Sequence, residues 1–327
     1  MIHFLLRSLH SFQRIYSPAK WRLPSASPWL VVATAMTLTA CSGQDIIKVE
    51  SANQDTRVRI VVIHHTTGNF KGSFDILTEP SGNPVSSHYL IPEPLDETYN
   101  KQDLKTYQLV EEEGRAWHAG NSYWAGKTSL NDMSIGIELV NQTYCRRSTE
   151  FIAPDAPDQQ PARLCFYPDF AEPQLEMLID LLDGILKRHT EVKPTHIIGH
   201  ADIAPQRKID PGPRFPWQRL YRLGYGAWYD DDTVFRYWEQ FRLDLPDVLT
   251  LQTALHSYGY NIELSGENDE QSQNVLRAYQ MHFRPWKVDG EIDAETAATL
   301  FALLEKYYPN ELIKLQTADQ PYNGKDA

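Results

Sequence analysis

The stretch "RVRIVVIHHTT" at residues 57–67 decides the fold class. Its run of β-branched residues predicts a buried strand of the kind found in parallel sheets. Further strands are predicted for "SSHYLI" (86–91), "TYQLVE" (106–111), "SIGIELV" (134–140) and "THIIG" (195–199). A helix is predicted over 172–189, where leucines and isoleucines recur every three or four residues. Strands interleaved with a helix indicate an α/β core.

A second, all-helical domain is predicted towards the end of the chain. Residues 246–308 contain three amphipathic helical patterns that are separated by turns. Asp293 lies where the N-cap of the third helix belongs, and "DG" at 289–290 marks a turn before it. The sequence beyond residue 310 is polar, so a frayed tail is expected there.

Length and composition fit two folded domains. The chain has 327 residues, of which 42% are hydrophobic and 23% charged, so it can bury a core and is unlike a disordered protein. Its formal net charge is −12. A protein that binds nucleic acid without regard to sequence needs a basic surface, so we expect no nucleic-acid partner.

The first 40 residues read as an export signal. They contain basic but no acidic residues and end in the apolar segment "WLVVATAMTLTA" directly before Cys41. The tetrapeptide "LTAC" (38–41) resembles the lipobox of bacterial lipoproteins, which implies that Cys41 is lipidated. Ser42 then implies sorting to the outer membrane, facing the periplasm. The alternative is an ordinary signal peptide or a membrane anchor.

The other two cysteines, Cys145 and Cys165, flank a polar segment. An exported protein meets an oxidising compartment, which permits a disulfide that closes this loop. Two free and unrelated thiols are the alternative, and the sequence leaves the choice open.

The stretch "GHADIAPQRKIDPGPRFPW" (199–217) holds candidate metal ligands in a stiff loop. Its prolines exclude a continuous helix or central strand and lower the entropic cost of fixing the loop. His200 and Asp210 lie in this loop, and His64 lies at the end of the first strand. Two imidazoles and a carboxylate form a ligand set of the catalytic zinc type, with a fourth position for water. The spacing alone leaves open that no metal binds.

Five sequence blocks carry a family resemblance. They are "VVIHHTTG" (61–68), "SSHYLIPE" (86–93), "AWHAG" (116–120), "NDMSIGIELVN" (131–141) and the loop at 199–217. In this order they resemble the type 2 zinc N-acetylmuramoyl-L-alanine amidases, a family that includes the peptidoglycan recognition proteins, and within it the AmiD-type lipoprotein amidases. The resemblance implies a mixed central sheet flanked by helices. It also implies one zinc ion per chain and hydrolysis of the amide bond between N-acetylmuramic acid and L-alanine in peptidoglycan or its fragments.

The same resemblance implies that His64, His200 and Asp210 are the zinc ligands. In the family the first histidine of the pair at the strand end binds the metal. Neighbouring residues of a strand point to opposite faces, so the second, His65, is expected to be packed or hydrogen-bonded behind the site.

Glu138 is the expected general base. It lies in a predicted strand, opposite to a face of isoleucines and leucine, where burial without a partner is costly and a cleft with an activated water would supply one. An exposed or salt-bridged glutamate is the alternative. Lys208 is expected to stabilise the oxyanion that forms when water attacks the amide. The alternative for Lys208 is a solvated loop lysine.

Four residues are substrate-binding candidates. His88, Trp117 and His118 lie in the matching blocks and suit stacking on a sugar or hydrogen bonding to a lactyl-peptide, although each fits a core position equally well. Arg214 is expected to pair with a carboxylate of the stem peptide, because the forked guanidinium suits that contact.

The helical patterns resemble the peptidoglycan-binding module. The matching segments are "LQTALHSYGY" (251–260), "NVLRAYQMHF" (274–283) and "VDGEIDAETAATL" (288–300). The run "FRPWKVDGEID" departs from the module's turn pattern, which puts its affinity for the wall in doubt, and a domain that only stabilises the enzyme is the alternative. The predicted organisation is therefore a signal peptide (1–40), a lipidated tether (41–57), an amidase domain (58–232), a three-helix domain (233–310) and a polar tail (311–327).

Two other functions compete with the amidase. A protein that binds muropeptides without cleaving them would be expected to lack a zinc ligand, whereas all three ligands, Glu138 and Lys208 are present. A zinc peptidase that cuts within the stem peptide usually carries an "HExxH" helix, which is absent from this sequence.

Overall fold

The structure is a computed structural model that describes residues 47–49, 51–53, 56–147 and 163–318. The predicted signal peptide, the predicted lipidation site Cys41 and residues 319–327 lie outside these ranges. Within them no helix combines the length and the apolar character that crossing a bilayer requires.

The described strands are β1 (Ile60–His65), β2 (Tyr89–Ile91), β3 (Tyr107–Gln108), β4 (Tyr123–Trp124), β5 (Lys127–Thr128), β6 (Ser134–Leu139), β7 (Tyr144–Arg147), β8 (Arg163–Phe166) and β9 (Ile197–Gly199). Five of them form a sheet at the centre of the fold, in the order β3-β2-β6-β1-β9. Strand β1 pairs in parallel with β6 and with β9, β2 pairs in parallel with β6, and β3 pairs antiparallel with β2. The predicted mixed central sheet is confirmed, with strands that are shorter than the sequence patterns.

Helices cover the sheet and form the region that follows it. They are α1 (Phe70–Thr78), α2 (Glu172–Arg188), α3 (His200–Ile203), α4 (Trp217–Arg222), α5 (Asp231–Phe241), α6 (Val248–Tyr258), α7 (Glu270–Phe283), α8 (Ala294–Tyr307) and α9 (Pro309–Ala318). Helix α2 matches the predicted apolar stripe, since its leucines at 175, 178 and 182 are buried. Gln174 of α2 also donates hydrogen bonds to the carbonyl oxygens of Ile91 and Val140, just where β2 and β6 end.

The helical region, residues 231–318, contains the three predicted helices as α6, α7 and α8. Each begins at an aspartate whose side chain accepts a hydrogen bond from a backbone N–H three residues on, and Asp293 is the cap of α8 as predicted. The prediction of a polar tail from 311 is wrong as far as 318. Helix α9 buries Leu312 and Leu315, because two leucines at this spacing give even a polar segment an apolar edge.

Asp202 ties the helical region to the loop after β9. Its carboxylate accepts hydrogen bonds from the Tyr260 hydroxyl at 2.5 Å, from His282 Nδ1 at 2.8 Å and from the backbone N–H of Gly199 at 2.7 Å. Asp202 and His282 are 2% and 3% exposed, so these contacts are internal to one packed core. The hydrophobic core accordingly extends without a break from β1 to α8.

Strands β7 and β8 form a hairpin that is joined by a disulfide between Cys145 and Cys165. The two cysteines occupy directly paired positions of this hairpin. The segment between the strands, 148–162, lies outside the described residues.

Candidate active site

Three strand ends bring the predicted catalytic side chains to one edge of the sheet. The carboxyl ends of β1, β6 and β9 meet there because these strands are parallel. The register pairs His64 with Glu138, and His200 is the first residue after β9. The strand pattern therefore places an imidazole, a carboxyl group and a second imidazole side by side.

The proline-rich loop returns Asp210 to the same edge. The backbone N–H of Ala201 donates a 2.8 Å hydrogen bond to the carbonyl oxygen of Asp210, which fixes the end of the loop against α3. Gly199 makes this approach possible, because a Cβ atom there would lie only 2.7 Å from Cδ of Pro211. The Asp210–Pro211 peptide bond is cis.

His64, His200 and Asp210 form a compact, buried cluster. His64 Nδ1 lies 2.9 Å from His200 Nδ1 and 3.2 Å from Asp210 Oδ2, and His200 Nδ1 lies 3.1 Å from the same oxygen. Ligands of a tetrahedral zinc ion, each about 2.0–2.1 Å from the metal, are roughly 3.3 Å apart. The three atoms thus fit one face of a zinc coordination shell, with room for a fourth ligand.

The electrostatics of the cluster also suit a metal. Burial, followed by the neighbouring His200, lowers the pKa of His64 to about 4, so the ring is neutral at pH 7. Burial by itself would raise the pKa of Asp210, but the His200 and His64 rings hold it well below its usual range. Neutral imidazoles and an ionised carboxylate are the protonation states that bind zinc.

Glu138 is buried beside this cluster with one oxygen unpartnered. Its Oε1 lies 3.9 Å from His64 Nδ1, its side chain is 14% exposed, and Oε2 has no hydrogen-bond partner. Burial, and then the charge of Asp210, raises the pKa of Glu138 to about 8. A buried oxygen without a partner is costly, so this carboxyl group lowers stability where it stands.

A cavity of about 540 Å³ opens onto the cluster. Glu138, Lys208 and Asp210 line its polar side, and Trp117 lines its wall with 47% of its surface exposed. Residues of α1 also line the cavity, and the side chain of Asn69, the N-cap of this helix, accepts a hydrogen bond from the backbone N–H of Gly72. Helix α1 was not predicted from the sequence, although the N-cap pattern at Asn69 is a signal that marks its start.

The four substrate-binding candidates have different surroundings. His88 is fully buried, its ring bonds to the backbone of Gly136 and Gly114, and it is not among the residues that line the cavity, so its contact with substrate stays a prediction. Arg214 pairs with Asp169 and does not line the cavity. Trp117 and the edge of His118 do line it.

His65 has the first of its two expected surroundings, since it is packed but not hydrogen-bonded. The residue is 5% exposed and lines the cavity, but neither ring nitrogen has a hydrogen-bond partner. Burial lowers the pKa of His65, which keeps the ring neutral. His65 therefore lies beside the site as a buried, neutral ring whose two nitrogens make no hydrogen bond.

Two families match the chain in the order that the sequence suggested. Residues 54–213 match the N-acetylmuramoyl-L-alanine amidase family, and residues 244–300 match a peptidoglycan binding domain family. The chain is 41% identical over 290 residues to the N-acetylmuramoyl-L-alanine amidase AmiD of Escherichia coli strain K12, which covers 85% of this chain and 97% of AmiD.

Solved structures of two relatives share the fold. AmpDh3 from Pseudomonas aeruginosa in complex with an anhydromuramic pentapeptide has a TM-score of 0.70 and 41% identity, covering 80% of this chain and 96% of that chain. The complex of Escherichia coli AmiD with anhydro-N-acetylmuramic acid-L-Ala-D-γ-Glu-L-Lys has a TM-score of 0.65 and 39% identity, covering 80% and 93%. The likeness therefore extends over the sheet and the helical region together.

Proposed function

The chain belongs to the N-acetylmuramoyl-L-alanine amidase family, and we propose that it cleaves the amide between N-acetylmuramic acid and L-alanine with one zinc ion bound by His64, His200 and Asp210. The observation that supports the metal is the cluster itself, whose three ligand atoms lie 2.9–3.2 Å apart. Glu138 is the second support, because its carboxyl group lies beside the cluster and lines the same cavity. When bound, zinc would supply a Lewis acid that activates water and polarises the amide carbonyl.

Glu138 moves the proton in this proposal. A carboxylate whose pKa is raised binds a proton more strongly than an ordinary one, which suits a group that takes a proton from the attacking water and later gives it to the departing amine. The bond that breaks joins the lactyl carbonyl carbon to the nitrogen of L-alanine. The products are the lactyl carboxylate and a peptide with a free amino end, so atoms and protons balance without another reactant.

Lys208 stabilises the negative charge on the carbonyl oxygen as the water adds. It lines the cavity together with Glu138 and Asp210, so it borders the space in which the amide would react. A fixed cation at a developing oxyanion strengthens its interaction in the transition state, which is what accelerates the reaction.

We further propose that the substrate is a muropeptide with an anhydro-muramic end. The two relatives with similar folds were solved with peptides of that kind. The cavity offers an exposed indole at Trp117, whose flat face suits a sugar ring. The matching peptidoglycan binding domain supports a second contact with wall through the helical region.

The cellular location is also part of this proposal. Lipidation at Cys41 would anchor the protein to the outer membrane, facing the periplasm, where its substrate class occurs. The "LTAC" sequence supports the anchor, and the disulfide between Cys145 and Cys165 supports an oxidising compartment. Metabolic labelling with a fatty acid tests it, since labelling should be lost in Cys41→Ala, and equal labelling of both proteins would refute it.

Mass spectrometry of digested sacculi and of purified anhydro-muropeptides tests the activity. We expect free stem peptides that begin with L-alanine, no products after the metal is removed with a chelator, and recovery when zinc is restored. Shortened stems that keep the muramic acid would instead indicate a peptidase. Tight retention without products would indicate a binding protein, and full activity after chelation would refute the zinc assignment.

A further inference from the structure

A chain of hydrogen bonds runs from the back of the His64 ring to a backbone carbonyl. His64 Nε2 lies 3.0 Å from His118 Nδ1, and His118 Nε2 lies 3.1 Å from Ser134 Oγ. Ser134 Oγ in turn lies 2.6 Å from the carbonyl oxygen of Leu130. The side chains of His64, His118 and Ser134 are 1%, 8% and 0% exposed, so these groups depend on one another for hydrogen bonds.

The donor and the acceptor of every hydrogen bond in this series follow from the carbonyl oxygen of Leu130 at its end. A carbonyl oxygen can only accept, so Ser134 donates its single hydroxyl hydrogen to Leu130. The Ser134 oxygen must then accept, and His118 donates to it from Nε2. Both partners of His118 are uncharged, which favours the neutral ring in a buried position. Its Nδ1 therefore accepts a hydrogen bond from Nε2–H of His64.

With its proton on Nε2, the His64 ring has its free lone pair on Nδ1. That is the nitrogen that faces the ligand cluster, 2.9 Å from His200 Nδ1 and 3.2 Å from Asp210 Oδ2. We propose that His118 and Ser134 are positioning residues that hold His64 in the Nε2–H tautomer, so that Nδ1 is ready to bind zinc. The inference rests on the proposed metal site, and it assigns His118 to the support of a ligand instead of to the substrate.

The His118 ring packs directly on strand β6. A Cβ atom on Gly136 would lie 2.5 Å from Cγ of His118, so a glycine in the middle of β6 is what lets the ring pack on the strand. Asn131 fixes the backbone on the other side, because its Oδ1 accepts hydrogen bonds from the N–H groups of His118 and Ala119 at 3.1 and 2.8 Å. The ring is therefore held from two directions.

The same segment fixes His200 in a different way. His200 Nε2 lies 3.3 Å from the carbonyl oxygen of Ala119 and 3.4 Å from Arg207 Nη2, and its Nδ1 faces the cluster as well. A backbone carbonyl cannot be removed by a side-chain substitution, whereas the support of His64 consists of two side chains. Substitutions at 118 and 134 should therefore weaken the site through one ligand only.

Zinc affinity measured by competition with a chromophoric chelator tests the proposal without depending on activity. The variants are His118→Leu, which removes both ring nitrogens, His118→Asn, which can keep an acceptor near the position of Nδ1, and Ser134→Ala. Ser87→Ala is the matched control, since Ser87 is equally buried but its hydroxyl has no partner. Nitrogen-15 NMR of histidine in the zinc-loaded wild type reports which nitrogen of His64 binds the metal.

We expect His118→Leu to weaken zinc binding about 10- to 100-fold, and Ser134→Ala by about 10-fold, as losses of outer-shell partners do. His118→Asn should retain more affinity than His118→Leu, and Ser87→Ala should match the wild type. The NMR signals should show His64 bound through Nδ1 with a proton on Nε2. If His118→Leu fails to fold, the comparison of Ser134→Ala with Ser87→Ala decides.

Two results would overturn the proposal in distinguishable ways. A wild-type protein that binds zinc while Ser134→Ala and His118→Leu bind it equally well would refute the positioning role alone, as would zinc on Nε2 of His64. A folded wild type that binds no zinc at all would refute the metal site of the proposed function together with the support for it.

Discussion

Buried polar side chains in the helical region and at the cavity differ in how far their hydrogen-bonding capacity is used. Arg284 is fully buried, and each guanidinium nitrogen donates, to Asp293, to Asp289 or to the backbone carbonyl of Lys287. At the cavity, Oε2 of Glu138 and both ring nitrogens of His65 are buried without partners. Arg284 has thus completed its polar contacts within the chain, whereas Glu138 and His65 have left theirs open, as has Nε2 of His282 in the helical region.

The difference separates groups that stabilise the fold from groups that serve a ligand. A buried charge with all its partners in place stabilises one packing arrangement. Removing one partner leaves the other charges buried without compensation, which lowers the free energy of unfolding. A buried group without partners lowers stability, and an enzyme retains it where a bound molecule supplies the missing contact. Substitutions in the two regions should therefore change different measured quantities.

The largest effect is expected for Glu138→Gln. The amide keeps the size of the side chain but cannot take a proton from water, so kcat should fall by about 10²–10⁴. The melting temperature and the zinc content should stay at wild-type values or above them. A variant that retains wild-type kcat on an anhydro-muropeptide would refute the role of Glu138 as the base.

The next effect is expected in stability, for Arg284→Met. This substitution leaves Asp289 and Asp293 without their buried cation, and removing one partner of such a network costs about 3–5 kcal/mol in the free energy of unfolding. Urea unfolding measures the loss, while kcat of the folded fraction should be unchanged. Arg236→Met is the control, because its pair with Glu305 is exposed and should contribute less than about 1 kcal/mol. Equal losses in both variants would remove the contrast between the two regions.

The third effect is expected in kcat, where Lys208 should differ from Arg214, a second cation of the same loop. Lys208→Met should lower kcat by about 10²–10³, because Lys208 lines the cavity and stabilises the oxyanion. Arg214→Met should leave both kcat and KM unchanged, since Arg214 pairs with Asp169 outside the cavity lining. Steady-state kinetics of the two variants on one substrate provide the test. A raised KM in Arg214→Met would restore the original expectation that it binds the stem peptide.

The sequence predicted most of the sheet because its signals are local. The β-branched run of β1 and the alternating pattern of β6 each marked a strand whose observed bounds lie within a few residues of the prediction. The stiff loop likewise indicated that His200 and Asp210 would lie together, as they do. Helix α1 was missed because nine residues with a glycine give little helical periodicity.

The surroundings of individual side chains were less predictable, because they depend on contacts between distant segments. His118 and His88 both looked suited to a substrate, yet their ring nitrogens bond to residues at 64, 134, 136 and 114. A glycine in the middle of the strand pattern at 136 was the available signal, since it marks a close approach. The contact of Asp202 with Tyr260 and His282 had no such signal, because it spans 58 and 80 positions.

The smallest effect is expected in the pH dependence of the free energy of unfolding, measured on protein that a chelator keeps free of metal. Glu138 has a folded pKa of about 8 against an ordinary value of 4.5, so between these values the folded state holds a proton that the unfolded state has released. Stability contributed by this group is present at low pH and is lost as the pH rises, by on the order of 2 kcal/mol between pH 5 and 7.

Buried histidines such as His64, whose pKa is lowered, act in the opposite direction but are common to the wild type and Glu138→Gln. Urea unfolding should therefore show Glu138→Gln gaining stability over the wild type as the pH rises from 5 to 7. A difference between the two proteins that does not change with pH would mean that the carboxyl group has found a partner, and Glu138 would then be as complete in its polar contacts as Arg284.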